Sequence, residues 1–317
     1  MVQRENNPSG HQPVMVDEVV QLLVSDPEGA YLDLTAGGGG HLFALASKLS
    51  PRARLYGLDR DPQAVVRAES KLSGVSQKVC IVHGPFDVLR RIALKLGVTG
   101  FAGILLDLGI SSDQINDPAR GFSFQADGPL DMRFDQTDGM TAADLVNKKT
   151  EAELTEIIRS YGEDRDARRI AKGIVRERRK EMILTTRRLA DIVSTLVPPP
   201  HRNKSLARVF QAFRIAVNNE LSRIEDVLPQ ATSLLAPGGR LAVISYHSLE
   251  DRIIKRYFRE QASGYCTCPR ELPVCVCGRK PSLKLVNRKS LTPSQTEIEG
   301  NPRARSARLR VAERVKP

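Results

Sequence analysis

Four consecutive glycines, Gly37 to Gly40, stand between a short apolar segment, Tyr31-Leu32-Asp33-Leu34, and His41. Further on, a second apolar segment, Leu55-Tyr56-Gly57-Leu58, ends in Asp59. This pairing narrows the fold more than anything else in the chain. Glycine lets the backbone enter positive φ and come close to a ligand, and a helix opening near His41 offers N–H groups and a positive dipole end to an anion. A carboxylate after the second strand can accept from ribose hydroxyls. Strand, glycine turn, helix and a second strand with a terminal acid are the plan of a nucleoside-cofactor pocket.

Two cofactor classes suit that plan, a dinucleotide and S-adenosylmethionine. The spacing fits G-x-G-x-x-G poorly, because Thr35 stands where the first glycine of a dinucleotide turn belongs. It resembles the acid-x-G-x-G-x-G loop of class I methyltransferases better, and there too Thr35 is a departure.

The apolar rhythm predicts strands at about 30–35, 54–59, 79–83 and 102–108 with helices between them, the pattern of a doubly wound parallel sheet. From Asp117 to Asn218 the chain reads as loop and then helix after helix. Thr150-Glu151-Ala152-Glu153 is a capping box that opens one helix, and Pro198-Pro199-Pro200 ends another. Alternation resumes with a helix at about 219–235, the turn Pro237-Gly238-Gly239 and a strand from Arg240 to Tyr246. Two weaker strands follow at about 282–288 and 306–313. The expected organisation is a sheet domain in two parts, 1–116 and 219–317, with a helical domain, 117–218, inserted between its fourth and fifth strands.

A chain of 317 residues with a net charge of +11 can bury a full core and favours a polyanionic partner. The longest apolar run, Phe101 to Leu106, is too short to cross a bilayer, and the first residues lack the apolar core of a signal peptide. The expectation is a cytoplasmic protein with no membrane partner. Arg165, Arg169, Lys172, Arg176 and then Arg179 or Lys180 recur at helical spacing, with Ile170 and Ile174 on another face. Such a stripe reads as a phosphate-contacting surface or as a solvated face diluted by Glu163, Asp164, Asp166, Glu177 and Glu181. Cys266, Cys268, Cys275 and Cys277 frame a short loop that is a candidate structural zinc site, although Cys-x-Cys is tighter than the usual zinc knuckle. Cys80, alone in a predicted strand, reads as core.

Ligands of such sheets bind beyond the carboxyl ends of the strands. That rule selects Asp107, at the end of the fourth strand, and the segment Ser245-Tyr246-His247 after the fifth. Asp107 has a plainer reading as the cap of the following turn. His247 is a candidate for substrate contact, while Ser248 with Asp251 three residues later reads as a helix cap.

Nine motifs, in order along the chain, carry a resemblance. They are His11-Gln12-Pro13-Val14-Met15, Gly39-Gly40-His41, Asp59-Arg60-Asp61-Pro62, His83-Gly84-Pro85-Phe86, Leu106-Asp107-Leu108-Gly109, Gly121-Phe122-Ser123-Phe124, Gly128-Pro129-Leu130-Asp131-Met132-Arg133, Ser245-Tyr246-His247-Ser248-Leu249-Glu250-Asp251-Arg252 and Asn301-Pro302-Arg303-Ala304-Arg305-Ser306. Together they resemble the bacterial RsmH/MraW family. The resemblance implies a class I (Rossmann-like) S-adenosylmethionine methyltransferase sheet with an inserted all-helical domain. It implies methylation of N4 of a cytosine in the decoding centre, the P-site region, of 16S rRNA in the small ribosomal subunit. It assigns cofactor contacts to Gly39, Gly40, His41, Asp59, Phe86, Asp107 and Gln114, brings no metal with it and leaves a homodimer open.

The chemistry so implied is an in-line displacement that needs no metal. The cytosine amino group is a poor nucleophile until an acceptor draws on one of its N–H bonds, and Asp107 and the backbone carbonyls just after it, such as that of Leu108, are the natural acceptors, with His247 a further candidate. DNA amino-methyltransferases carry Pro-Pro-Tyr after the corresponding acid, whereas this chain has Leu-Gly-Ile. A stacking aromatic must then come from elsewhere, with Phe122, Phe124 and Tyr246 as candidates. Given the family, Arg165, Arg169, Lys172 and Arg176 are expected to meet RNA. A cofactor-dead RNA-binding factor on the same fold is the competing reading of another class. An enzyme acting on DNA or a small molecule is a third, disfavoured by the missing Pro-Pro-Tyr and the basic insertion.

Overall fold

Strand residues of alternating destination build the sheet. In the computed structural model, which describes residues 13–84, 89–264, 268–269, 272, 277–278 and 280–316, Leu32, Ile104, Leu106, Leu241 and Val243 enter one core, and Tyr31, Leu105, Ala242 and Ile244 enter another. Period-two alternation of this kind is what a sheet covered on both faces requires.

The chain divides into two units, one joining the described residues of 12–109 to those of 221–317, the other containing 110–220. In chain order the elements are α1 (Val16–Leu23), β1 (Ala30–Asp33), α2 (Gly40–Ala46), β2 (Arg54–Asp59), α3 (Pro62–Leu72), β3 (Lys78–His83), α4 (Leu89–Lys95) and β4 (Phe101–Asp107). The helical unit follows with α5 (Ser112–Asn116), α6 (Ala142–Lys148), α7 (Glu151–Gly162), α8 (Ala167–Arg178), α9 (Thr186–Leu196) and α10 (Arg202–Asn218). The chain then continues through α11 (Glu220–Leu234), β5 (Leu235–Ser245), α12 (Ser248–Ala262), β6 (Leu283–Leu285), α13 (Gln295–Gly300) and β7 (Arg308–Arg314).

The strand order is β3-β2-β1-β4-β5-β7-β6. The first five strands are parallel, and β7 runs antiparallel to both β5 and β6. The sheet is one antiparallel strand, β7, away from the all-parallel reading that alternation alone suggests. The expected turn at Pro237-Gly238-Gly239 is absorbed into β5 as an irregularity: Phe101 pairs with Leu235, but Gly103 pairs with Arg240. Gly238 has φ +82°, and a Cβ on Gly239 would lie 2.5 Å from the Phe101 carbonyl oxygen, so both positions require glycine.

The helical unit has its own core, from Phe122, Leu130 and Met132 through Ile158, Ile170, Ile174 and Val193 to Phe210 and Phe213. Ile110, at the start of the 110–220 segment, packs against that core. Thr150 caps α7 in a reciprocal box with Glu153, and α9 ends at Leu196 just before the three prolines. Two glycines fix the loop ahead of α6. A Cβ on Gly121 would fall 2.1 Å from the Pro129 carbonyl oxygen, and one on Gly128 would fall 2.0 Å from that of Pro118. The two loop motifs therefore meet backbone against backbone. Behind them Arg120 donates to the carbonyls of Arg133 and Phe134, and Asn218 holds Met132 and Phe134 from α10.

Candidate active site

The glycine turn is held by carboxylates at the ends of its two flanking strands. Asp33 Oδ1, after β1, accepts from the Thr35 amide at 2.9 Å and from the Thr35 hydroxyl at 3.1 Å. Thr35 Oγ1 in turn accepts the Asp107 N–H at 2.6 Å. Thr35, the residue that departs from the glycine pattern, is thus the bridge between the ends of β1 and β4. Asp59, after β2, accepts from Gly37 N–H and Asp61 N–H, each at 2.8 Å. Burial pushes its carboxyl up, against the pull of those two amides.

Gly37 and Gly39 have φ of +52° and +79°, the left-handed region. Gly40 is glycine for a different reason: a Cβ there would meet Pro13 at 2.8 Å. Over Gly38 an added Cβ would meet no described atom within 4 Å, so the turn has an open side.

Asp107, His41, Asp33 and Tyr246 form one cluster beyond the sheet. Tyr246 donates its hydroxyl hydrogen to Asp107 Oδ1 at 2.8 Å, and His41 Nε2 lies 3.4 Å from Asp107 Oδ2. Burial opposes the charge on His41, but the contact with Asp107 and the charges of Asp107 and Asp33 outweigh it and raise the imidazole pKa. Burial pushes Asp33 up to about 6, offset in part by His41. Tyr246 is raised well above 10 by burial and then by the charge of Asp107, so it stays a neutral donor. Among the described residues, Asp33 Oδ2 and His41 Nδ1 are buried without a hydrogen-bond partner. The arrangement offers an open glycine turn and three strand-end carboxylates, of which Asp107 is partly buried and held by Tyr246 and His41.

Known proteins share this framework over nearly the whole chain. Residues 8–315 match the model of the MraW methylase family. The chain belongs to that family. It is 47% identical over 310 residues to the ribosomal RNA small subunit methyltransferase H of Heliobacterium modesticaldum, covering 96% of this chain and 99% of that one. It is 48% identical over 308 residues to the protein of the same name from a Geobacter species and 49% identical over 310 residues to that of Pelobacter propionicus, in each case covering 96% of this chain and 98% of the relative. For a member of the MraW methylase family the methyl donor is S-adenosyl-L-methionine.

Against this MraW framework, the expected site residues divide. Gly39, Gly40, His41, Asp59 and Asp107 all lie in the sheet unit, around the carboxyl ends of β1, β2 and β4. Phe86 lies outside the described residues, as do Cys266 and Cys275 of the cysteine loop. Gln114 is in the helical unit, where it closes a capping box on α5 by accepting from the Ser111 amide. His247, and not Ser248, caps α12: its Nδ1 accepts from the Glu250 amide at 3.4 Å while Glu250 accepts from the amides of Tyr246 and His247. Sequence reasoning misses imidazole as a cap because hydroxyl and carboxylate side chains lead that role. Asp251 instead binds Arg310 through both carboxylate oxygens, tying α12 to β7.

Phe122 stacks on Phe134 and Phe124 meets Phe210 edge-on, both within the helical core, which leaves Tyr246 as the aromatic beside Asp107. In the basic stripe, Arg165 precedes α8 rather than lying in it. Arg169 pairs with Asp166 and Arg176 with Glu177, while Lys172 is exposed. Among the described residues no helix is long and apolar enough to cross a membrane. Sequence reasoning passes over two members of the cluster, Asp33 and the hydroxyl of Tyr246. The strand-end rule that selects Asp107 selects Asp33 equally well once it is applied to β1.

Proposed function

We propose that this chain transfers a methyl group from S-adenosylmethionine to the exocyclic N4 of a cytosine in the decoding centre of 16S rRNA, acting on the small ribosomal subunit. The observation that carries the reading is Asp107 at the end of β4, held by Tyr246 and His41 beside an open glycine turn. The names of relatives alike over nearly the whole chain support the small-subunit RNA as substrate.

The residues suit the cofactor. The open side of Gly38 and the amides of the turn can receive a carboxylate, and Asp59 keeps a lone pair on each oxygen for ribose hydroxyls beyond the two amides it already accepts. His41 Nδ1 and Asp33 Oδ2 are buried polar atoms with hydrogen-bonding capacity to spare. When bound, S-adenosylmethionine supplies an electrophilic methyl group on a sulfonium. Everything else falls to the protein. Alignment of amine and donor can contribute roughly 7–11 kcal/mol, and a positioned acceptor about 10²–10⁴-fold. Asp107 accepts an N–H of the cytosine amine, raises the electron density on N4 and takes its departing proton at a carboxylate oxygen. Tyr246 cannot ionise near neutral pH and therefore fixes Asp107 without competing for that proton.

In the helical unit Arg165, Arg169, Lys172 and Arg176 contact RNA phosphates in this reading, with the ion pairs to Asp166 and Glu177 exchanged for phosphate. The deciding experiment is mass mapping of methylated nucleotides in small-subunit RNA from cells lacking the protein, followed by restoration of the mark on isolated subunits with purified protein. A complete set of marks in the deletion strain contradicts the proposal.

A further inference from the structure

The sequence motif Asn301-Pro302-Arg303-Ala304-Arg305-Ser306 has no part in the cofactor site described above, yet the sheet brings it to the same end of the molecule. β7 is antiparallel, so its first residue, Arg308, pairs with Ser245, the last residue of β5 and the neighbour of Tyr246. The 3₁₀ turn Pro302–Ser306 that feeds β7 is anchored by Ala304 and Ala307, both fully buried in the core that also holds Ala36 and Leu42, which flank the glycine turn. With the alanines turned inward, Arg303, Arg305 and Arg308 are exposed.

A second basic segment lies alongside. Leu291 and Leu309 exchange both backbone hydrogen bonds at 3.0 Å, Asn287 grips the backbone of Leu309 and Val311, and Ser290 Oγ receives a hydrogen bond from Arg308 at 3.4 Å. Arg288 and Lys289, both exposed, are thereby fixed beside the start of β7. From 286 to 308 the chain has five basic residues and two acids. Glu297 is turned to the Met15 amide at 2.7 Å and Glu299 accepts from Gln295, so both acids are engaged away from these cations.

We propose that Arg288, Lys289, Arg305 and Arg308 form a phosphate-binding surface of the sheet unit that grips the RNA backbone next to the target nucleotide. The inference rests on the RNA-methyltransferase reading above and adds to it a second contact surface, outside the inserted helical unit. Exposed cations fixed on a rigid frame, next to the strand end where the base must react, suit a polyanion that has to be held while one nucleotide is drawn out of its stack. Arginine supplies the fork that phosphate oxygens match.

The test uses the full chain, S-adenosylmethionine at saturation and isolated small subunits, with Arg305→Glu/Arg308→Glu and Arg305→Lys/Arg308→Lys compared against the parent. The charge-reversed protein should show KM for the subunit raised at least about 10-fold with kcat nearly retained, and a slope of log K against log salt smaller by about 0.7–0.9 for each phosphate no longer neutralised. The lysine variant should keep most of the slope, and S-adenosylhomocysteine affinity by calorimetry should be the same in all three, which also reports an intact sheet. Unchanged KM and slope overturn this surface while leaving the methyltransferase reading in place. Weaker binding with an unchanged slope overturns it too, since that is the signature of a protein contact. If the parent itself methylates no subunit, the reading above is what fails.

Discussion

Tyr246 and Asp107 meet across the carboxyl ends of two neighbouring strands, hydroxyl to carboxylate at 2.8 Å, in the register where Asp107 pairs with Ile244. The bond leaves Asp107 one orientation and makes Tyr246 a positioning residue. A hydrogen bond to a charged group contributes about 1.5–3 kcal/mol, so Tyr246→Phe should slow single-turnover methylation about 10- to 100-fold while the ring keeps the packing. Its affinity for S-adenosylhomocysteine should change much less. An unaltered rate would mean that Asp107 needs no such support.

Asp107→Ala should cost at least about 10²-fold in the same assay, because the amine loses its acceptor. Asp107→Asn should bind cofactor better than the alanine variant and still react slowly, since one oxygen remains but the negative charge does not. If Asp107→Asn runs at the parent rate with cofactor saturating, the acceptor is a backbone carbonyl. His247 is a poor substitute, being committed to the cap of α12.

Asp59→Ala should abolish cofactor binding and also lower the melting temperature. Two partly buried amides, of Gly37 and Asp61, lose their acceptor, at about 1–3 kcal/mol each at most. Calorimetry with S-adenosylhomocysteine and thermal unfolding measure the two effects separately. Tight binding by this variant would show that the ribose lies elsewhere.

Asp33 makes stability depend on pH in an unusual direction for a carboxylate. Its folded pKa of about 6 exceeds the ordinary 3.8, so the folded state holds the proton more tightly than the unfolded chain does. Rising pH between those values therefore removes stability, and above about 6 the loss is complete. Carboxylates held low by cations, Asp144 and Glu177 among them, slope the other way, so the difference between parent and variant is the quantity to read. Asp33→Asn should gain stability relative to the parent as pH is raised from 4 to about 6, by an amount on the order of 1–3 kcal/mol, and hold that gain above it. Denaturant titrations at several pH values decide it; a constant difference would place an ordinary carboxylate at Asp33.

Gly128→Ala should destabilise the helical unit by about 1–3 kcal/mol or more, because the methyl would fall 2.0 Å from the Pro118 carbonyl oxygen and a backbone segment must move. Thermal unfolding reports the loss. Stability equal to that of the parent would show that the loop yields freely.

The sheet is legible wherever one residue type has one destination. Alternation in Ile104-Leu105-Leu106 and Leu241-Ala242-Val243-Ile244, the Thr150 box and the acids that end β2 and β4 all follow from local rules. What stays hidden depends on partners distant in sequence. Nothing near Thr35 reveals that its hydroxyl will meet the Asp107 amide, and nothing near Gly121 or Gly128 reveals the carbonyl each must clear. Phe122 and Phe124 look like base-stacking rings until the helices that absorb them are in place. Helical spacing alone suggests the basic stripe, but α8 begins two residues after Arg165, and the acids that neutralise Arg169 and Arg176 are their own near neighbours.

The pairing of β4 with β5 carries a consequence for how the protein is made. Gly103 to Asp107 cannot find Arg240 to Ile244 until the ribosome has released every residue of the helical unit between them. The equilibrium penalty of so long a detour is small, since each doubling of a loop costs only about 0.6 kcal/mol. The kinetic exposure is larger: until β5 emerges, the growing chain presents the unpaired edge of Ile104-Leu105-Leu106, an apolar template for any other strand. Nascent chains halted before residue 235 should therefore depend on chaperones and aggregate without them, whereas chains released after β7 should not.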